Sequence, residues 1–137
     1  MTDTASPQPI FQYRIAVRWG DLDAYNHVNN ASYLRYLEEA RVQWLRTFIS
    51  DWDTMTAAPV LAAVQLNYRA PINWPAELVV TQAISRVGNT SLTLDHRIES
   101  ADGGILHADG HVVLVWIDRG SGQSVPLPEI FRTAAAR

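Results

Sequence analysis

The 137-residue chain contains no cysteine, which removes a thiolate nucleophile, a Cys-ligated zinc and an iron–sulfur cluster together. It has no lysine either: all 11 basic residues are arginines, placed singly along the chain. With a net charge of −3 and no basic cluster, it lacks the surface that grips a phosphate backbone, and nucleic acid is not an expected partner. No apolar run approaches the length of a transmembrane helix. The opening stretch Met1–Pro9 is polar and lacks the apolar centre of a signal peptide. These absences predict a cytoplasmic protein with no membrane partner. Of the four histidines, His107 and His111 form an i, i+4 pair on a predicted strand, two pleats apart on one face, while His27 and His96 lie elsewhere; no metal and no cofactor are expected.

What is present is enough for one core. A chain of this length buries roughly two-thirds of its unfolded surface and needs no staple, so residues 1–137 read as a single domain, with 1–9 and 133–137 as flexible ends. Ile10–Arg18 alternates as a strand. From Ala31 to about Ile49 the period becomes helical: Leu34, Leu37, Arg41, Trp44 and Phe48 trace a stripe, widened by Tyr33, Ala40 and Leu45. Asn29 or Asn30 is the candidate N-cap, and the helix should be about 27 Å long.

Beyond a linker at Asp51–Thr56, Val60, Ala62, Val64, Leu66 and Tyr68 alternate as a second strand, ended by Pro71 and Pro75. Glu77–Val87 and Ser91–Ser100 read as a hairpin about Gly88-Asn89. Ile105–Asp118 reads as a long strand, and Pro126–Arg132 as a short terminal helix. The expected class is α+β, one long helix against one antiparallel sheet.

Residues 18–33 are the unusual part. Asp21, Asp23, His27 and the asparagines 26, 29 and 30 stand immediately before the long apolar helix. The free N–H groups of a helix start favour developing negative charge. A carboxylate beside them can attack a carbonyl or activate water while they hold the oxyanion. On residue types alone, Asp21 and Asp23 can equally be turn residues, Asn29 and Asn30 caps, and Tyr33, Tyr36 and Trp44 core.

The run Gly20-Asp21-Leu22-Asp23-Ala24-Tyr25-Asn26-His27-Val28-Asn29-Asn30, followed by Tyr33, resembles the signature of hotdog-fold acyl-CoA thioesterases of the 4-hydroxybenzoyl-CoA thioesterase type. Arg35–Arg41, Gln65–Pro71 and Val113–Trp116 extend the likeness, which spans Ile10 to Asp118. The resemblance implies a five-stranded antiparallel sheet wrapped around the helix. It also implies dimers joined edge to edge, or dimers of dimers, with sites at the subunit interface and acyl-CoA as substrate. The second acid of the Asp-x-Asp pair falls on Asp23 as the catalytic carboxylate. The histidine of the related acyl-ACP thioesterases falls on His27 as the second catalytic candidate, and the backbone oxyanion donor falls on Asn30. Asn29, Tyr33 and Arg69 are the candidate substrate contacts; Asp21 is structural. The acyl-ACP pattern has an asparagine two after the aspartate, whereas this chain has Tyr25 there and Asn26 next.

A thioester suits such a site because its thiolate leaves without a strong general acid. Asp23 would form a mixed anhydride or deprotonate water. Arg69, Arg86 and Arg97 are candidates for CoA phosphates, although a solvated sheet face explains them equally well. The rival readings are a non-catalytic acyl-CoA-binding hotdog protein and a hotdog dehydratase.

Overall fold

The computed structural model describes residues 8–51 and 53–136. In chain order the elements are β1 (Pro9–Ala16), α1 (Asn30–Leu45), β2 (Ala57–Tyr68), β3 (Glu77–Val87), β4 (Ser91–Ser100), β5 (Leu106–Asp118) and α2 (Glu129–Ala135). The strands form one five-stranded sheet in the order β1-β3-β4-β5-β2, every pairing antiparallel. The expected α+β hotdog architecture, a sheet around one long helix, is the one found. Among the described residues no helix is long and apolar enough to cross a membrane.

The β3–β4 hairpin keeps its expected bounds, closed by a Gly88 N–H···O Ser91 bond of 2.8 Å. Other boundaries move. The N-terminal stretch expected to be loose lies outside the described residues at 1–7, but Pro9 is already in β1. The terminal helix sits three residues later than expected, so 133–135, read as part of a loose tail, are helical. The reason is packing: Phe131 is buried against Trp44, Phe48 and Trp116, with ring centroids 5.6, 5.3 and 4.9 Å away. Such clusters outweigh the weak local signal of a seven-residue helix.

Helix α1 stops at Leu45 rather than Ile49. Thr47 turns its hydroxyl back onto the Trp44 carbonyl at 2.6 Å, and the run Thr47-Phe48-Ile49 is poor helix material. The apolar stripe is also rotated from the expected one. Tyr33, Tyr36, Leu37, Ala40, Arg41, Trp44 and Leu45 are buried, whereas Leu34 is exposed. The helix lies toward the β1–β3 side of the sheet, where Tyr33, Tyr36, Leu37 and Ala40 pack on Val17, Leu78, Val80 and Ile98. Leu34 therefore faces a gap in front of β2.

Strand β2 is an edge strand, which tolerates Pro59. A bulge between Leu61 and Ala63 breaks its alternation. The residues paired with helix-facing Val112 and Leu114 are Val64 and Leu61, so Leu61 rather than Ala62 shares a face with Val64, Leu66 and Tyr68.

Candidate active site

A three-residue 3-10 turn, Trp19–Asp21, opens the segment between β1 and α1. Asp21 anchors it. Its carboxylate accepts from the Arg18 N–H (3.0 Å), the Arg18 guanidinium (3.3 Å) and the Tyr36 hydroxyl on α1 (2.7 Å). Burial pushes the Asp21 carboxyl up, but these donors together hold it below the ordinary carboxylate value. The Tyr36 phenol is driven well above its own ordinary value, first by burial and then by Asp21.

Asp23 heads a tight loop. Leu22 and Val28 pair as an isolated antiparallel bridge, and the Asp23 N–H donates to the His27 carbonyl at 2.8 Å. Oδ1 of Asp23 accepts from the backbone N–H of Tyr25 (2.8 Å) and of His27 (3.3 Å), an Asx turn. Oδ2 has no partner among the described residues. One oxygen thus fixes the loop while the other stays available. Asn26 takes φ of 61°, a left-handed position that asparagine tolerates. That explains the shifted asparagine: position 26 serves the backbone, and Tyr25 points into solvent. The loop is tied down by Val28 N–H to the Ile72 carbonyl (2.9 Å) and Asn29 N–H to the Asp21 carbonyl (2.8 Å).

At the start of α1, Asn29 is the cap: its Oδ1 accepts from Ala31 N–H at 2.9 Å, and its carbonyl accepts from Ser32 N–H at 2.8 Å. The N–H of Asn30 alone among the first three of the helix has no acceptor among the described residues. Asp23, His27, Asn30 and Tyr33 share a cleft of about 240 Å³ with Tyr68 and Arg69. The Tyr68 hydroxyl donates to the Asn30 carbonyl at 3.0 Å, and its ring meets that of Tyr33 edge-on at 4.8 Å. A half-buried carboxylate, an open helix-start N–H and a phenol-lined wall stand together, a set suited to an electrophilic carbonyl.

Residues 17–134 match the thioesterase-like superfamily. The chain belongs to it. Its relatives include the long-chain acyl-CoA thioesterase FadM of Escherichia coli (strain K12), 35% identical over 119 residues, covering 85% of this chain and 89% of FadM. Among solved structures, the PA2801 protein of Pseudomonas aeruginosa superposes with a TM-score of 0.88 at 38% identity, covering 93% of this chain and 98% of that one. The XC229 protein of Xanthomonas campestris gives 0.79 at 41% identity, covering 88% and 100%.

Within this thioesterase-like fold the expected site residues separate into three groups. Asp23, His27, Asn30 and Tyr33 line the cleft. His27 is exposed, and its ring bonds neither to Asp23 nor to any other described residue. Tyr33 is both core and cleft wall, 3% exposed, with burial lifting its phenol above the ordinary value and Tyr68 and Asp23 adding to that. Asn29 does not line the cleft; its amide is spent on the cap. Arg69 borders the cleft, but its guanidinium is turned onto Oδ1 of Asp109 at 3.0 and 3.1 Å. Arg97 pairs with Glu99 on the outer sheet face, and Arg86 is exposed at the far end of β3. Tyr68, Ala70 and Pro71 complete the wall, unassigned by sequence because bonds distant in sequence, the Tyr68 hydroxyl to the Asn30 carbonyl and the Val28 N–H to the Ile72 carbonyl, hold this segment at the helix start.

A larger concavity of about 600 Å³ lies on the outer sheet face. Its Asp95 and Asp109 offset its Arg69 and Arg97, and it contains neither Asp23 nor the helix start. His111 borders it, while His107 is buried on β5, with Nδ1 3.1 Å from the Ala70 carbonyl. Among the described residues no three metal-ligating side chains group together.

Proposed function

We propose that Asp23 drives hydrolysis of an acyl-CoA to free acid and CoA, with the thioester oxygen held by the Asn30 N–H. The chain is a thioester hydrolase of the acyl-CoA class, as its superfamily and its 35% identity to a long-chain acyl-CoA thioesterase indicate. The observation that carries the residue assignment is the pairing of a carboxylate oxygen without a partner and a helix-start N–H without an acceptor in one cleft. With the carbonyl carbon between them, Asp23 either attacks directly or takes a proton from the attacking water, and the N–H stabilises the oxyanion. CoA thiolate then leaves without needing a strong acid. His27, at the mouth of the cleft, contacts substrate; Arg69 holds the β2 end of the wall through Asp109.

The working unit in this reading is a homodimer or dimer of dimers in the cytoplasm, joined along the β2 edge. In support, β2 exposes Val60, Leu61, Val64 and Tyr68, an apolar edge of the kind that proteins cover, and Tyr68 connects that edge to the cleft.

A panel of short, long and aromatic acyl-CoAs with a thiol-trapping reagent tests the activity. Free CoA from at least one ester is expected; none from any would reject the hydrolase. Single turnover in heavy-oxygen water tests the direct route: label in the Asp23 carboxylate requires a mixed anhydride opened by water at the Asp23 carbonyl, whereas a water activated by Asp23 labels only the product acid.

A further inference from the structure

Between α1 and β2 a groove of about 290 Å³ runs along the helix. Leu34 and Leu37 on α1, Leu61 and Val64 on β2 and Val112 on β5 give it apolar walls, and Arg35 and Glu38, both exposed, stand on its helix rim. It lies in line with the catalytic cleft. Leu34 is one helical turn past Asn30, and Val64 and Leu61 continue the helix-facing row that begins at Tyr68, whose hydroxyl holds the Asn30 carbonyl.

The far end of this groove is Arg41, which is 8% exposed. Among the described residues it makes no hydrogen bond and no ion pair. Glu38, three residues before it on the rim, is exposed and does not reach it. Burial lowers the Arg41 pKa, with Glu38 opposing, but a guanidinium remains charged. On the sheet beneath, Gln82 and His96 pair across β3 and β4, and the Nε2 atoms of both are buried without partners. This polar row divides the core into its two apolar clusters. His96 is pushed down to about 4, first by burial and then by Arg41; a histidine is neutral or cationic and supplies no counter-charge to a guanidinium in either form. A buried cation with no partner in its own chain is strongly disfavoured; the end of the groove is shaped for an anion that arrives from outside.

We infer that the α1–β2 groove holds the acyl chain and that Arg41 binds a carboxylate at that chain's far end. The substrate class is then the mono-CoA thioester of a dicarboxylic acid rather than a plain fatty acyl-CoA. This rests on the thioesterase reading above. Arg41 lies roughly 16 Å along the helix axis from Asn30, and its side chain leans back toward the helix start, so a medium-length chain separates thioester from carboxylate. A second copy paired along β2, as proposed above, covers the exposed Leu61 and Val64 and closes the open side of the groove, so that the acyl chain lies between the two subunits with Arg41 at its far end.

The test compares kcat/KM of the full chain for suberoyl-, sebacoyl- and dodecanedioyl-CoA with octanoyl-, decanoyl- and lauroyl-CoA. At one or more lengths the carboxylated ester is preferred by about tenfold or more, the scale of a hydrogen bond to a charged group. In Arg41→Gln that ratio collapses toward one, through KM. Should the variant not fold, the wild-type ratio across lengths still decides. Plain esters turned over equally or better at every length overturn the inference and leave the thioesterase standing. No free CoA from any ester rejects the thioesterase itself. An Arg41→Gln chain that falls to monomers with its substrate ratio unchanged assigns the counter-charge to a second copy and also overturns the inference.

Discussion

The Tyr36 hydroxyl lies 2.7 Å from the buried carboxylate of Asp21, so the central helix holds by one short bond the segment that presents Asp23. Tyr36→Phe leaves that carboxylate buried with a donor missing. The expected cost is about 2 kcal/mol, read by urea unfolding, with a fall in kcat larger than any change in KM because the loop loses its register. The acid limb moves as well. Asp21 has a folded pKa below its unfolded one, so its contribution is complete above the ordinary carboxylate value and is lost as pH falls through the depressed one. Tyr36→Phe shortens that window, and acid unfolding begins at higher pH.

His96 works in the same direction from another cause. Its folded pKa of about 4 lies below the ordinary 6.5, so the unfolded chain takes the proton first. Stability is full above 6.5 and declines as pH falls toward 4, by up to ~3 kcal/mol. His96→Leu removes an unpartnered buried nitrogen together with this dependence. The variant should be near wild type at pH 7 and more stable at pH 5, measured by thermal unfolding at the two pH values.

Position 30 allows the oxyanion assignment to be tested by backbone chemistry. Proline is well tolerated at the first helical position, and Asn29, with φ −57° and ψ 138°, already has the extended conformation that must precede a proline. Asn30→Pro should therefore fold while lacking the N–H, and kcat should drop by about 10²–10³. Asn30→Ala keeps the N–H and should stay far more active than the proline variant. Equal activities in the two would remove Asn30 from the chemistry.

The sequence exposed the parts of this molecule set by local rules. Alternation and turn chemistry located β3 and β4, and the Asn29 cap marked the start of α1 within a residue. The helix stripe was less legible, because Leu34 and Leu37 are equally apolar and only the offset of α1 toward β1 and β3 decides which is buried. The bulge in β2 leaves no compositional trace, so Leu61 read as facing away from Val64. At the site, the loop that carries Asp23 was visible as an anomalous run of carboxylates and asparagines. Of the wall from Tyr68 to Pro71 only Arg69 was assigned, since the segment is held at the helix start by contacts distant in sequence, such as the Tyr68 hydroxyl on the Asn30 carbonyl. Arg69 read as a candidate substrate or CoA-phosphate contact because nothing in linear order links it to Asp109, forty residues on.

The central claim is that the Asp23 carboxylate performs the chemistry, and Asp23→Asn tests it most directly. An amide oxygen can still accept from Tyr25 and His27, so the loop should keep its shape. Acyl-CoA binding should persist while free-CoA release falls by at least about 10². Turnover within a few-fold of wild type in a folded Asp23→Asn chain would contradict the account.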